Sequence, residues 1–220
     1  MIVQFEKTPR LKFIGHLDMQ RCMQRALRRS GLPVTYSQGF NPHMLISFAS
    51  PLPVGASGAE ELLDVALSEP CAEQAFADAL SAALPPELPV GRVRAVEDKH
   101  PKLMAQLRTA AYCLTLEEGE ASEAMRRAIP DFLAQASLPA IRISKKGETP
   151  CDIRPMIHEL RGEPGGLYAR VAFTEAETLK PDLLLRTLAE FAKVEPPKME
   201  LSRQRLYGEK DGAALPLIDC

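Results

Sequence analysis

The chain has 220 residues, 45% of them hydrophobic and 25% charged, with a formal net charge of −2. That length buries a core without staples, and no apolar run approaches the roughly 18 to 20 residues a membrane-spanning helix needs, so a helical membrane protein is excluded. Five cysteines, at positions 22, 71, 113, 151 and 220, never form a C-x-x-C pair, so neither a disulfide framework nor an autonomous metal or iron–sulfur site is expected.

The net charge hides an asymmetry. Residues 1–50 carry seven Lys/Arg against two acids, a balance of +5, while residues 51–100 carry three against nine, a balance of −6. A local positive potential of that kind attracts phosphates even in a chain of nearly neutral total charge. The opening MIVQFEKTPRLKF places charges where a signal peptide needs an apolar core, so a cytoplasmic location is expected.

Ile2 to Ile14 carries Val, Phe, Leu and Phe between polar residues, a strand-like run broken at Thr8-Pro9. Leu17 to Arg29 holds no Gly or Pro and predicts a helix, stopped by Ser30-Gly31-Leu32-Pro33. Val34 to Tyr36 and Leu45 to Phe48 read as extended, with the loop SQGFNPH between them, and Glu61 to Leu67 reads as a strand. Cys71 to Leu84 predicts a helix ended by Pro85-Pro86, and Val90 to Val96 a closing strand. The order β-α-β-β-α-β is the split βαβ, or ferredoxin-like, arrangement.

A second round follows. Tyr112 to Leu116 is a strand, Ser122 to Gln135 a helix, Ala140 to Ser144 and Ile153 to Leu160 are extended, Leu167 to Phe173 is a strand, Pro181 to Ala192 a helix and Met199 to Leu206 a last strand. The expected fold is therefore α+β, with two tandem ferredoxin-like units over residues 1–100 and 109–207. Their boundary lies in Glu97 to Arg108, and residues 208–220 are expected as a flexible tail.

At 100° per residue, Arg21, Arg25, Arg28 and Arg29 fall within an arc of about 100°, opposite Met19, Cys22, Met23, Ala26 and Leu27. Crowded guanidinium groups repel one another, so an anionic partner relieves a cost that helix stability alone gives no reason to accept. Internal pairing with Glu60, Glu61 or Asp64 is the competing expectation. His16 stands at the entrance of this helix, and His43 lies in Gly39-Phe40-Asn41-Pro42-His43, a turn that presents backbone N–H groups and an aromatic ring. Both histidines are candidate general acids or bases, although structural roles are commoner, and their spacing is a poor metal signal. Tyr36 and Phe40 are candidates for base stacking. In the second unit Lys145 and Lys146 form a cationic hairpin tip, and Arg203 and Arg205 alternate along the last strand as a possible extension of the basic surface.

The stretch RLKFIGHLDMQRCMQRALRRSGLPVTYSQGFNPHMLISFASPLPVG, followed by Glu61-Leu62-Leu63-Asp64, resembles the opening of the radical-SAM-linked protein family. KKGETPCDIRP and PDLLLRTL are similar to its second half. Members are fused to, or encoded beside, a cobalamin-binding radical SAM protein, commonly near genes for ribosomal proteins and a ribonuclease. The resemblance implies work alongside RNA or ribosome maturation. The chain departs from the family pattern in having Met44 and Leu45 where a basic residue usually follows the Pro-His pair, and it has no aromatic at Leu62 or Leu63. It also has no three clustered cysteines for a radical SAM cluster, so the resemblance implies an accessory protein without a cofactor of its own.

Three functions are carried forward. The first is an RNA-binding accessory or substrate-presenting protein that works with a radical SAM partner on tRNA or rRNA, through Arg21, Arg25, Arg28, Arg29, Tyr36, Phe40, His43, Lys145 and Lys146. The second is a metal-independent endoribonuclease using His16 or His43, by analogy of architecture. The third is a module that docks on the radical SAM partner itself.

Overall fold

Alternation sets the first strand: in β1 (Ile2–Lys7), Val3, Phe5 and Lys7 share one face of the sheet, while Ile2, Gln4 and Glu6 share the other. The structure, a computed structural model, describes residues 1–97, 99–144 and 147–220. Unit 1 comprises Met1–Leu107 with Arg205–Cys220, and unit 2 is Arg108–Gln204. No described helix is long and apolar enough to cross a membrane.

In unit 1, β1 is followed by α1 (His16–Arg29), β2 (Ile46–Phe48), β3 (Ala56–Val65), α2 (Glu73–Ala83), β4 (Val90–Arg94) and the single turn α3 (Leu103–Gln106). β1 pairs antiparallel with both β3 and β4, and β2 pairs antiparallel with β3. Met19, Met23, Ala26 and Leu27 of α1 and Phe76 and Leu80 of α2 pack with Val3, Phe5, Leu63 and Val65 in one apolar cluster. Burying such side chains contributes about 1.5–3 kcal/mol each.

Unit 2 runs β5 (Thr109–Leu116), α4 (Glu120–Ala134), β6 (Pro139–Ser144), β7 (Gly147–Asp152), β8 (Ile157–Glu163), β9 (Gly166–Ala172), α5 (Pro181–Phe191) and the strand β10 (Met199–Lys210), whose residues from Arg205 onward belong to unit 1. β5 pairs antiparallel with β9, and β9 with β8. β6 and β7 form a separate antiparallel hairpin with Ser144 opposite Gly147. Its Lys145 and Lys146 lie outside the described residues. Phe132 of α4 meets Phe191 of α5 edge to face at 5.4 Å.

Several sequence expectations are corrected. Val34 to Tyr36 is not a strand but makes two isolated bridges, Val34 to Leu67 and Tyr36 to Met44. β3 begins five residues before the expected Glu61, because the small residues Ala56-Ser57-Gly58 extend it. A Cβ at Gly58 would lie 2.5 Å from Oε1 of Glu61, whose side chain covers it and would have to shift. Residues 208–220 are not a flexible tail: Tyr207–Lys210 pair with β11 (Ala213–Pro216), and Leu217 and Ile218 are buried. Arg92 holds Asp219 through two hydrogen bonds of 3.1 and 2.7 Å, and Arg94 donates to the carbonyls of Ile218 and Cys220. Arg203 does not extend a basic surface, because it is buried beside the Phe173 ring.

Candidate functional site

α1 begins at Gly15, with Asp18 placed in its first turn where the positive end of the helix dipole favours a carboxylate, and it ends at Ser30, whose hydroxyl donates to the Leu27 carbonyl at 2.8 Å. Gly31 at φ +70° turns the chain away. The apolar face enters the core, and Arg21, Arg25, Arg28 and Arg29 are all exposed. Arg21 pairs with Asp18 at 3.1 Å, and Arg29 donates to the Ala83 carbonyl at 2.6 Å. Arg25 and Arg28 have no hydrogen-bond or ion-pair partner among the described residues.

The acids expected to neutralise this face are engaged elsewhere. Glu60 accepts two hydrogen bonds from Arg205, one of them 2.6 Å long, and this pairing raises the Arg205 pKa. Asp64 bonds Nε2 of His100 at 3.0 Å, and Nδ1 of that ring lies 2.9 Å from the Glu97 carbonyl. Both ring nitrogens of His100 are thereby engaged at the rim of a depression of about 710 Å³. Glu61 is buried at 4% exposure and has a partner of its own. The exposed Arg21–Asp18 pair is worth at most a few tenths of a kcal/mol, roughly the value of an i,i+3 pair on a helix, so breaking it costs little.

Beyond α1 the chain forms a finger. The bridge between Tyr36 and Met44 closes its base, where the Ser37 N–H donates to the His43 carbonyl at 2.8 Å and the Leu45 N–H to the Thr35 carbonyl at 2.9 Å. The His43 N–H donates to Oγ of Ser37 at 3.1 Å, and Nδ1 of His43 lies 2.8 Å from the same oxygen. Met44 anchors the stem in the core, and Gly39 at φ +125° makes the tip. Phe40, next to it, is fully exposed at 106%. Leaving that ring in water forgoes about 2 kcal/mol of burial.

His16 opens α1 and meets the Phe48 ring edge-on at 5.1 Å. It lines a small cavity of about 20 Å³ with Lys7, Ser50 and Glu61. No hydrogen bond joins His16 to His43 among the described residues. Sequence reasoning missed Lys7, which is 3% exposed and donates to the carbonyls of Lys12 at 3.2 Å and Ile14 at 3.0 Å. Those bonds, with the Gly55 N–H donating to the same Lys12 carbonyl at 2.8 Å, turn the loop's backbone inward. Phe13, Leu17 and Val54 remain outside at 73%, 65% and 63% exposure. The only signal for this patch in the sequence was apolar residues sitting among charges in RLKFIGHLD. Among the described residues, no three His, Cys, Asp or Glu side chains gather as a metal site.

A comparison with curated proteins finds none that matches. A family model does match, over residues 1–183, which takes in the arginine helix, the finger and most of unit 2. The chain belongs to the bacterial family described as an uncharacterized protein conserved in bacteria (DUF2344).

Proposed function

We propose that this protein binds RNA through the arginine face of α1 and the finger that follows it. It acts in the cytoplasm as an accessory or substrate-presenting protein for a cobalamin-binding radical SAM protein that modifies tRNA or rRNA or matures ribosomes. The observation that carries the RNA reading is the unpaired, exposed state of Arg25 and Arg28 while Glu60 and Asp64 are committed to Arg205 and His100. Arginine suits this task because its planar fork engages phosphate oxygens in pairs. The radical SAM partner rests on the sequence resemblance alone.

The test replaces Arg21, Arg25, Arg28 and Arg29 together by Ala. The variant should melt like the parent, bind tRNA or rRNA more than about tenfold more weakly at low salt, and lose roughly 0.7–0.9 from the log–log salt slope for each phosphate contact removed. Unchanged affinity and slope in a folded variant would sink the reading.

Docking on a partner protein is a second reading, supported by the exposed Phe13 on the loop that Lys7 holds in place, with Leu17 in the first turn of α1 and Val54 also exposed. Replacing Phe13 and Leu17 by Ser should leave RNA affinity intact and abolish co-elution with the purified radical SAM partner after nuclease treatment. Co-elution that persists refutes it. RNA cleavage has less behind it, because His16 is packed against Phe48 and His43 is tied at Nδ1. We also read both units as ferredoxin-like. The pairing of β1 with β3 and β4, and of β5 with β9, supports that reading, and the hairpin β6–β7 is then an insertion.

A further inference from the structure

Building on the RNA reading, we infer that the finger from Tyr36 to Met44 reads an unpaired base, so the RNA it takes is single-stranded or looped rather than duplex. From Ser30 to Ala59 there are 30 consecutive residues without Asp, Glu, Lys or Arg, in a chain that is 25% charged. The finger therefore brings no lysine or arginine to a phosphate. What it offers instead are the rings of Tyr36, Phe40 and His43 and the amides of Gln38 and Asn41, all five exposed. Rings stack on base faces, and side-chain amides match the donor–acceptor pairs on base edges.

Those faces are covered in a double helix. The A-form major groove is too deep and narrow for side chains, so a ring on a hairpin tip finds a base only where the strand is unstacked. The stem bonds between Ser37 and His43 hold the tip before any ligand arrives, which reduces the ordering cost of stacking. Phosphate attraction and base reading are thus divided between α1 and the finger.

The chain contains no Trp, so Phe40→Trp introduces a lone fluorescent indole at the tip. Binding is measured with a short unstructured oligoribonucleotide and with the blunt duplex of the same sequence at one salt concentration. The parent should prefer the single strand by about tenfold or more, and Phe40→Ala should weaken the single strand by about tenfold while leaving the duplex unchanged. Phe40→Trp should keep the affinity, with its emission quenched by the single strand and not by the duplex. Equal affinity for both RNAs, or a Phe40→Ala variant that binds the single strand like the parent, overturns the inference. So does loss of the radical SAM partner with RNA binding untouched. The four-arginine variant separates the two proposals: if it binds both RNAs like the parent while the Phe40 effects persist, the arginine reading fails and the finger stands. If the parent binds neither RNA, both fall.

Discussion

Asp152 shows how one carboxylate fixes a turn: its Oδ1 accepts the backbone N–H of Leu138 at 2.7 Å and of Arg154 at 2.9 Å. These two bonds hold its carboxyl below the usual carboxylate range. Asp219 is lowered as well, chiefly by its hydrogen bonds with Arg92. A carboxyl whose folded pKa is depressed stabilises the fold above its unfolded value, near 3.9, and that contribution is lost as the pH falls through the folded pKa. Asp152→Ala should therefore lower the melting temperature at neutral pH, with the gap to the parent closing on acidification below about pH 4. A gap that stays constant from neutral to strongly acid pH would show that the turn does not depend on the charge. At the same scale, the exposure of the four arginines was legible, because the 100° step of a helix separates faces whatever lies around it. The fate of Arg203 was not. Alternation assigns it the same face as Arg205, and nothing in the local pattern announces that Phe173, thirty residues away, covers it.

At the scale of elements, the legible pieces were those whose own pattern dictates their shape. α1 was expected from Leu17 to Arg29 and is His16–Arg29, since an uninterrupted amphipathic run between Gly15 and Gly31 leaves one solution. β2 was expected as extended from Leu45 to Phe48 and is Ile46–Phe48, paired with β3. The finger was legible as a loop, but its closed stem was not, because the three bonds that join Ser37 to His43 on either side of Phe40 form only when the stem closes. The loop before α1 is a similar case. Lys7 reads as the polar end of a strand, yet its ammonium group is the internal support that leaves Phe13 outside. The two surfaces proposed for RNA and for a protein partner each rest on such a support.

For the whole molecule, the basic and acidic blocks of the sequence meet at Arg10 and Glu87 but do not cancel on α1. Glu60 serves Arg205, Asp64 serves His100, and Glu73 accepts the Ala95 N–H, so these acids serve the frame of unit 1 and not α1. The closing segment of the chain is part of that frame. Deleting residues 213–220 should cost on the order of 3–6 kcal/mol, from the burial of Leu217 and Ile218 alone, a large share of the 5–15 kcal/mol that holds an ordinary domain together. Denaturant unfolding of the shortened chain checks this, and an unchanged midpoint would return the segment to the status of a tail. It was illegible because Leu215, Leu217 and Ile218 stand among Gly, Ala, Pro and charges, with no period to mark a buried run. The return of Arg205–Cys220 to unit 1 also sets an order of events during translation. The 97 residues from Arg108 to Gln204 are synthesised before the last strands of unit 1 exist, so the nascent chain holds an unfinished sheet edge while a complete second unit forms behind it. A product cut short near residue 204 would keep unit 2 and expose that edge, a form suited to chaperone capture or proteolysis and not to work.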